Sequence, residues 1–168
     1  MNQKNENPIK VLVVDDSAFI RALLTQILDS DEDLKVVATA EDAFDAREKI
    51  KKYQPDVLTL DIEMPKMDGI SFLKNLMRLR PMPVVMVSTL THAGADITLE
   101  ALKLGAFDFI SKPSSDVKEK LINIADELIS KVKAAAACNL GALETSHQNS
   151  IRKLVFKKGK MILNLSYI

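Results

Sequence analysis

Five short apolar runs recur along this chain, and a segment of helical periodicity follows each one. The runs are Ile9–Val14 (broken only by Lys10), Leu34–Thr39, Val57–Leu60, Val84–Val87 and Phe107–Ile110. A continuous apolar run has no polar face to offer water. It therefore suits a strand covered on both sides, as in a parallel sheet. The intervening segments read as amphipathic helices. Ile20, Leu23, Leu24, Ile27 and Leu28 stripe a helix over Ala18–Leu28, and Ala43, Ala46 and Ile50 mark one over Asp42–Lys52. Ile70, Leu73, Leu76 and Met77 mark a third helix, which Pro81 and Pro83 end. Ile97, Ala101 and Leu104 share a face of a fourth over Ala93–Leu104, with Gly105 as its C-terminal cap. Val117, Leu121, Ile124, Leu128 and Val132 give a long last helix. Such alternation implies right-handed βαβ units. The expected fold is α/β, a doubly wound five-stranded parallel sheet flanked by five helices.

The polar residues that end these runs carry the chemistry. Asp15 and Asp16 follow VLVV, Asp61 follows VLTL, Ser88 ends VVMVS, and Lys112-Pro113 follow DFIS. In an open parallel sheet the carboxyl ends of the strands meet on one edge, where ligands bind. Residues almost a hundred positions apart therefore converge on one acidic pocket with a cation beside it. Such a pocket suits a hard divalent metal and a phosphoryl group. Mg²⁺ takes oxygen ligands, keeps several waters, and is usually held by one or two carboxylates plus phosphate oxygens. Asp16 and Asp61 fit that task, and Asp15 either ligates through water or orients Asp16.

Each residue also has a plainer reading. An Asp-Asp pair alone is more often a helix N-terminal cap than a metal site. Asp61 shifts that balance, because a third carboxylate on the same edge is costly without a cation. Asp61 can also be a nucleophile that forms an aspartyl phosphate. Lys112 would bind a phosphoryl oxygen, with a solvated lysine as the alternative. Pro113 argues for a fixed turn that aims Lys112 inward. Ser88 would donate to another phosphoryl oxygen, although a lone serine there is more often a capping or turn hydroxyl.

Together these motifs resemble the receiver domain of two-component response regulators. DD at 15–16, D-x-x-M-P-x-M-D-G at 61–69, S-T at 88–89 and K-P at 112–113 fall in family order and at family-like spacing. The match covers about residues 8–133. The resemblance implies a flavodoxin-like fold with Asp61 as phosphoacceptor. It also implies Mg²⁺ on Asp15, Asp16, Asp61 and the Glu63 carbonyl, with Ser88 and Lys112 on the phosphoryl group. Phe109, three residues before Lys112, matches the aromatic that moves inward when the switch hydroxyl is drawn to the phosphate; its plainer reading is a core aromatic. The implied donor is a sensor histidine kinase of the chemotaxis type. LMRLRPMPVVMVSTLT at 76–91, Glu63 and GAFDFISKP at 105–113 are similar to the regulatory domain of the chemotaxis protein-glutamate methylesterase. In that family the receiver covers a C-terminal esterase that acts on chemoreceptor glutamates, so the further partners implied are that catalytic domain or a chemoreceptor complex.

The chain departs from that family in one respect. No G-x-S-x-G elbow is present, and the only histidines are His92 and His147. The segment 134–168 is expected to be a linker-like or truncated tail, too short for an esterase domain. Either the chain is the receiver half of a longer protein or a naturally shortened form, so its standing as an enzyme stays open. The tail reads as unlike the family's linker, with a net charge of +4 against −4 for residues 1–133. Its apolar residues 154–168 would suit two strands around Lys158-Gly159. Residues 1–7 are expected to be disordered. The zero net charge argues against a general nucleic-acid or membrane-surface binder. A DNA-binding regulator needs a longer tail with a helix pair. An α/β phosphatase with an aspartate nucleophile would find its second acid in Glu63, but M-P-x-M-D-G favours the receiver. A single Cys138, no signal core and no run near 18 apolar residues lead to the expectation of a cytoplasmic protein without membrane insertion.

Overall fold

The computed structural model describes residues 7–89, 94–112 and 118–138. Strands β1 (Ile9–Val14), β2 (Leu34–Ala40), β3 (Val57–Asp61), β4 (Val84–Ser88) and β5 (Asp108–Ser111) alternate with five helices. These are α1 (Ala18–Asp29), α2 (Ala43–Tyr53), α3 (Gly69–Leu79), α4 (Gly94–Leu104) and α5 (Lys118–Ala137). The sheet order is β2-β1-β3-β4-β5, with every pair parallel. The chain reverses its winding at β1, so β1 and β3 flank the crevice where such sheets bind ligands.

Strand residues alternate between two apolar layers, because successive side chains point to opposite faces. Leu12, Val14, Leu58, Leu60, Val84 and Met86 pack with α2, α3 and α4. Val11, Val13, Val57, Val85, Val87 and Ile110 pack with α1 and α5. Leu12, Leu58, Leu60 and Met86 are fully enclosed. Each such side chain contributes about 1.5–3 kcal/mol by leaving water.

Most element ends fall where local chemistry puts them. Ser17, Asp42 and Asp68 cap α1, α2 and α3, each side chain accepting a backbone N–H of the first turn. Gly105, at φ 112°, closes α4 in a conformation that only glycine adopts without strain. Four expected strands end one residue further on, β2 at Ala40, β3 at Asp61, β4 at Ser88 and β5 at Ser111, and β5 also starts one residue later, at Asp108. Parallel pairing of Asp61 with Val87 and of Ser88 with Ser111 draws these polar residues into the ladder. At the other end, α5 continues past Lys133 to Ala137, because its alanines favour helix and Ala135 packs in the α1/α5 layer. Among the described residues no helix is long and apolar enough to cross a membrane. The expectations for residues 1–6, His92, Pro113, Val117 and the strand pair in 154–168 lie outside the described residues.

Candidate functional site

The first aspartates follow β1. Asp15 is 1% exposed, while Asp16 is open to solvent. The Asp15 Oδ1 accepts the Ser17 N–H at 2.8 Å, a local turn that fixes the carboxylate. Arg21 on α1 donates to the Asp15 carbonyl at 2.7 Å. Asp61, the last residue of the neighbouring β3, is also 1% exposed. Its Oδ1 accepts the Glu63 amide at 3.1 Å. Ser88 is buried at the end of β4, and its carbonyl accepts the Lys112 amide at 2.8 Å. That bond holds Lys112 just beyond β5. The Lys112 Nζ lies 2.9 Å from Asp61 Oδ2 and 3.0 Å from Asp15 Oδ2. Its approach to both oxygens falls outside hydrogen-bond angles, so these contacts are ion pairs. Asp15 Oδ2, Asp61 Oδ2 and Ser88 Oγ are thus all buried without an aligned hydrogen bond.

An unaligned buried polar atom costs free energy, on the order of 1–3 kcal/mol. Among the described residues three of the four such atoms, those of Asp15, Asp61 and Ser88, lie at one edge, as expected where something else completes their coordination; the fourth, Thr59 Oγ1, lies within β3. Burial, followed by the nearby Asp15 charge, pushes the Asp61 carboxyl up to about 6, even though Lys112 and the Glu63 amide pull it down. Burial pulls the Lys112 ammonium down, but its close contacts with the Asp61 and Asp15 carboxylates outweigh it and hold it above the ordinary lysine value. Among the described residues one lysine pairs with two of the three clustered carboxylates, so the pocket is short of positive charge.

Asp15, Asp16 and Asp61 each offer an oxygen, and these atoms all lie within 4.8 Å of one another. Hard oxygens at this spacing, two of them on buried residues, suit a divalent cation such as Mg²⁺. The donor set and the orphaned oxygens fit that ion. Of the residues expected at the site, Asp15, Asp16, Asp61 and Lys112 come together directly. Ser88 ends the strand beside Asp61, and Glu63 meets Asp61 through its amide. Phe109 is half-buried and packs on the α2/α3/α4 layer. The Lys131 ammonium of α5 sits 5.3 Å from its ring centroid and donates to its carbonyl at 2.7 Å.

Three neighbours of the site escaped sequence reasoning. Asp68-Gly69 reads as a turn, but a Cβ on Gly69 would stand 2.0 Å from the Asp61 carbonyl oxygen and 2.8 Å from the Ile62 Cα. The start of α3 therefore rests directly on the backbone that carries Asp61, and only glycine fits. Lys66 turns the intervening loop at φ 68° and pairs with Asp42, the cap of α2, at 2.8 Å. No sequence signal marks that pair. The Arg21 contact to the Asp15 carbonyl was equally hidden, although residue 21 lies one helical turn beyond the cap Ser17.

Comparison with known proteins agrees with this geometry. Residues 11–126 match the response regulator receiver domain family. A protein-glutamate methylesterase/protein-glutamine glutaminase of Hydrogenovibrio crunogenus is 52% identical over 160 residues, covering 92% of this chain and 43% of that protein. A relative of the same description from Xanthomonas campestris is 59% identical over 138 residues, 82% of this chain and 38% of that protein. The chain thus spans about two fifths of the length of these relatives. The first alignment is too long to stop at Lys133, so similarity continues into the segment that reads as an unrelated tail. Among solved structures, the response regulator domain of Thermotoga maritima CheB superimposes with a TM-score of 0.71 at 48% identity, covering 79% of this chain and 99% of that one. A chain of the CheX-CheY-BeF3-Mg complex from Borrelia burgdorferi gives 0.66 at 34% identity, covering 82% and 96%. With the sheet order, the carboxylate edge and this match all in agreement, the chain belongs to the response regulator receiver domain family.

Proposed function

We propose that this domain is a phosphorylation-driven switch in which Asp61 accepts a phosphoryl group with Mg²⁺ bound. The observation that carries this reading is the buried Asp61 Oδ2, lacking an aligned hydrogen bond, 2.9 Å from Lys112 Nζ and clustered with Asp15 and Asp16. Asp15, Asp16, Asp61 and the Glu63 carbonyl would hold the ion. When bound, Mg²⁺ would offset the negative charge brought together by the carboxylates and the incoming phosphoryl oxygens. An Asp61 oxygen bonds to phosphorus as the P–N bond of a phosphohistidine donor breaks. The imidazole leaves with the bonding electron pair. Lys112 binds a phosphoryl oxygen and keeps Asp61 aimed, and Ser88 donates its unused hydroxyl to another. Phosphoryl transfer asks mainly for this positioning and charge balance.

The output follows from the same residues. Drawing Ser88 toward the phosphoryl group opens space that Phe109 enters, and Phe109 then leaves the Lys131 ammonium. The donor is a histidine kinase of the chemotaxis type. Similarity to protein-glutamate methylesterases supports a role, within a longer protein, in controlling a methylesterase catalytic domain that works in the cytoplasm. A relative described in complex with BeF3 and Mg supports the choice of ligand. The test is intact mass after incubation with Mg²⁺ and a small phosphodonor. One added phosphoryl group on the wild type and none on Asp61→Ala is expected; equal labelling of both would remove Asp61 from its role.

A further inference from the structure

Helices α2 and α3 cover the same face of the sheet, but α3 packs closely on α4 and leaves a gap beside α2. The gap is a groove of about 420 Å³. Ile50 of α2 and Phe72 and Leu76 of α3 are buried beneath it. Phe44 and Leu79 stand at its edges, 53% and 68% exposed. These are two of only six large apolar side chains exposed among the described residues. The spacing Ala43, Phe44, Arg47, Ile50 on α2 faces Phe72, Asn75, Leu76, Leu79 on α3, so two helical stripes line one channel.

The polar rim has one sign. Arg47, Lys51, Arg78 and Arg80 line the groove, and among the described residues no aspartate or glutamate does. Lys51 makes a long, exposed ion pair with Glu48 at 3.6 Å. The three arginines have no acidic partner among the described residues. This is unusual in a segment, residues 1–133, whose net charge is −4. None of these residues belongs to the carboxylate pocket.

An apolar channel between helices with a cationic rim matches an amphipathic helix that presents apolar residues at i, i+3, i+4 and i+7 and acids on its flanks. Charge decides among occupants. The chain's own segment after residue 133 carries +4 and would be repelled by the rim. We infer that the α2–α3 groove is a docking site for an acidic amphipathic helix of a partner protein. This surface is separate from the phosphoryl switch, and its occupancy does not depend on the proposed role of Asp61.

The test uses the full chain and three fluorescent synthetic peptides. One is an amphipathic helix with a leucine face and glutamate flanks, the second has lysine flanks, and the third is a scramble of the first. Binding is read by anisotropy, unfolding by circular dichroism, and self-association by sedimentation. The inference expects saturable binding of the acidic helix alone, with its amide shifts mapping to α2 and α3. Arg47→Glu with Arg78→Glu should weaken binding about tenfold or more while the protein stays folded. Leu79→Ser, at an exposed site, should weaken it without unfolding the domain. Binding of the lysine peptide or the scramble as tight as that of the acidic helix would overturn the inference. So would affinity unchanged by the charge reversals, or self-association of the chain through this groove. Asp61→Ala should bind the acidic helix normally, so failure of the groove and failure of the phosphoacceptor assignment are told apart.

Discussion

Replacing Asp61 by Asn should stabilise the domain in the absence of Mg²⁺. The folded protein holds the Asp61 carboxyl at about 6, against 3.8 when solvated, mainly through burial and then through the Asp15 charge. A carboxyl raised on folding binds its proton more tightly in the native state. Ionising it therefore subtracts stability as pH rises from 3.8, and the loss is complete above about 6. At about 1.4 kcal/mol per pH unit, the full loss is about 3 kcal/mol. Asn keeps the shape and sheds the charge, so it escapes the loss. Urea denaturation of wild type and Asp61→Asn in EDTA measures it directly. The gain should be about 1 kcal/mol at pH 4.5 and about 3 kcal/mol at pH 8. For a domain this size the larger value amounts to roughly 10 °C in melting temperature. Mg²⁺ should stabilise the wild type and narrow the gap, because the cation supplies the charge the pocket lacks. A variant no more stable than wild type at pH 8, or a gain as large at pH 4.5 as at pH 8, would refute the reasoning.

Two further substitutions probe the same edge. Lys112→Ala removes the only cation ion-paired with the Asp15 and Asp61 carboxylates among the described residues, and breaking one side of a buried pair costs about 3–5 kcal/mol. Its unfolding free energy should fall at pH 8 and recover as pH drops through the raised Asp61 value; a loss independent of pH would argue against the charge explanation. Gly69→Ala drives a Cβ into the backbone of Asp61 and Ile62, which cannot rotate away, and should cost at least about 2 kcal/mol while slowing labelling by the phosphodonor. Wild-type stability and labelling rate would show that the contact is unimportant.

The layered fold was legible because the central strands β1, β3 and β4 are largely apolar runs and α1 to α3 keep their stripes, while the edge strands β2 and β5 carry polar residues. Val11–Val14 and Val84–Val87 are enclosed from both faces, as their unbroken hydrophobicity demands. The site was legible for a related reason: a polar residue directly after such a run can only sit at the sheet edge. The finer arrangement was hidden. From the residues alone Asp15 reads as a ligand through water or an orienting group beside Asp16, and only the family resemblance implies it as a Mg²⁺ ligand. In the structure Asp15 is the buried member, in ion-pairing contact with Lys112, and Asp16 is the open one. Which of two adjacent aspartates points inward depends on the turn made by the Ser17 amide, not on residue type. Gly69 looked like turn chemistry because its real constraint is a contact with the carbonyl of a residue in another element. Lys131 over Phe109 joins α5 to β5 through tertiary geometry alone. The α2–α3 groove was missed because Phe44 and Leu79 lie outside the buried stripes that periodicity picks out.

The central claim is that Asp61 itself takes the phosphoryl group, with the metal held beside it. Borohydride reduces an acyl phosphate to an alcohol, so the modified aspartate becomes homoserine and peptide sequencing by mass spectrometry locates it. After treatment with Mg²⁺ and a small phosphodonor, homoserine should appear at position 61 alone, and EDTA should abolish it. Homoserine at another aspartate, or at position 61 to the same extent without Mg²⁺, would contradict the account.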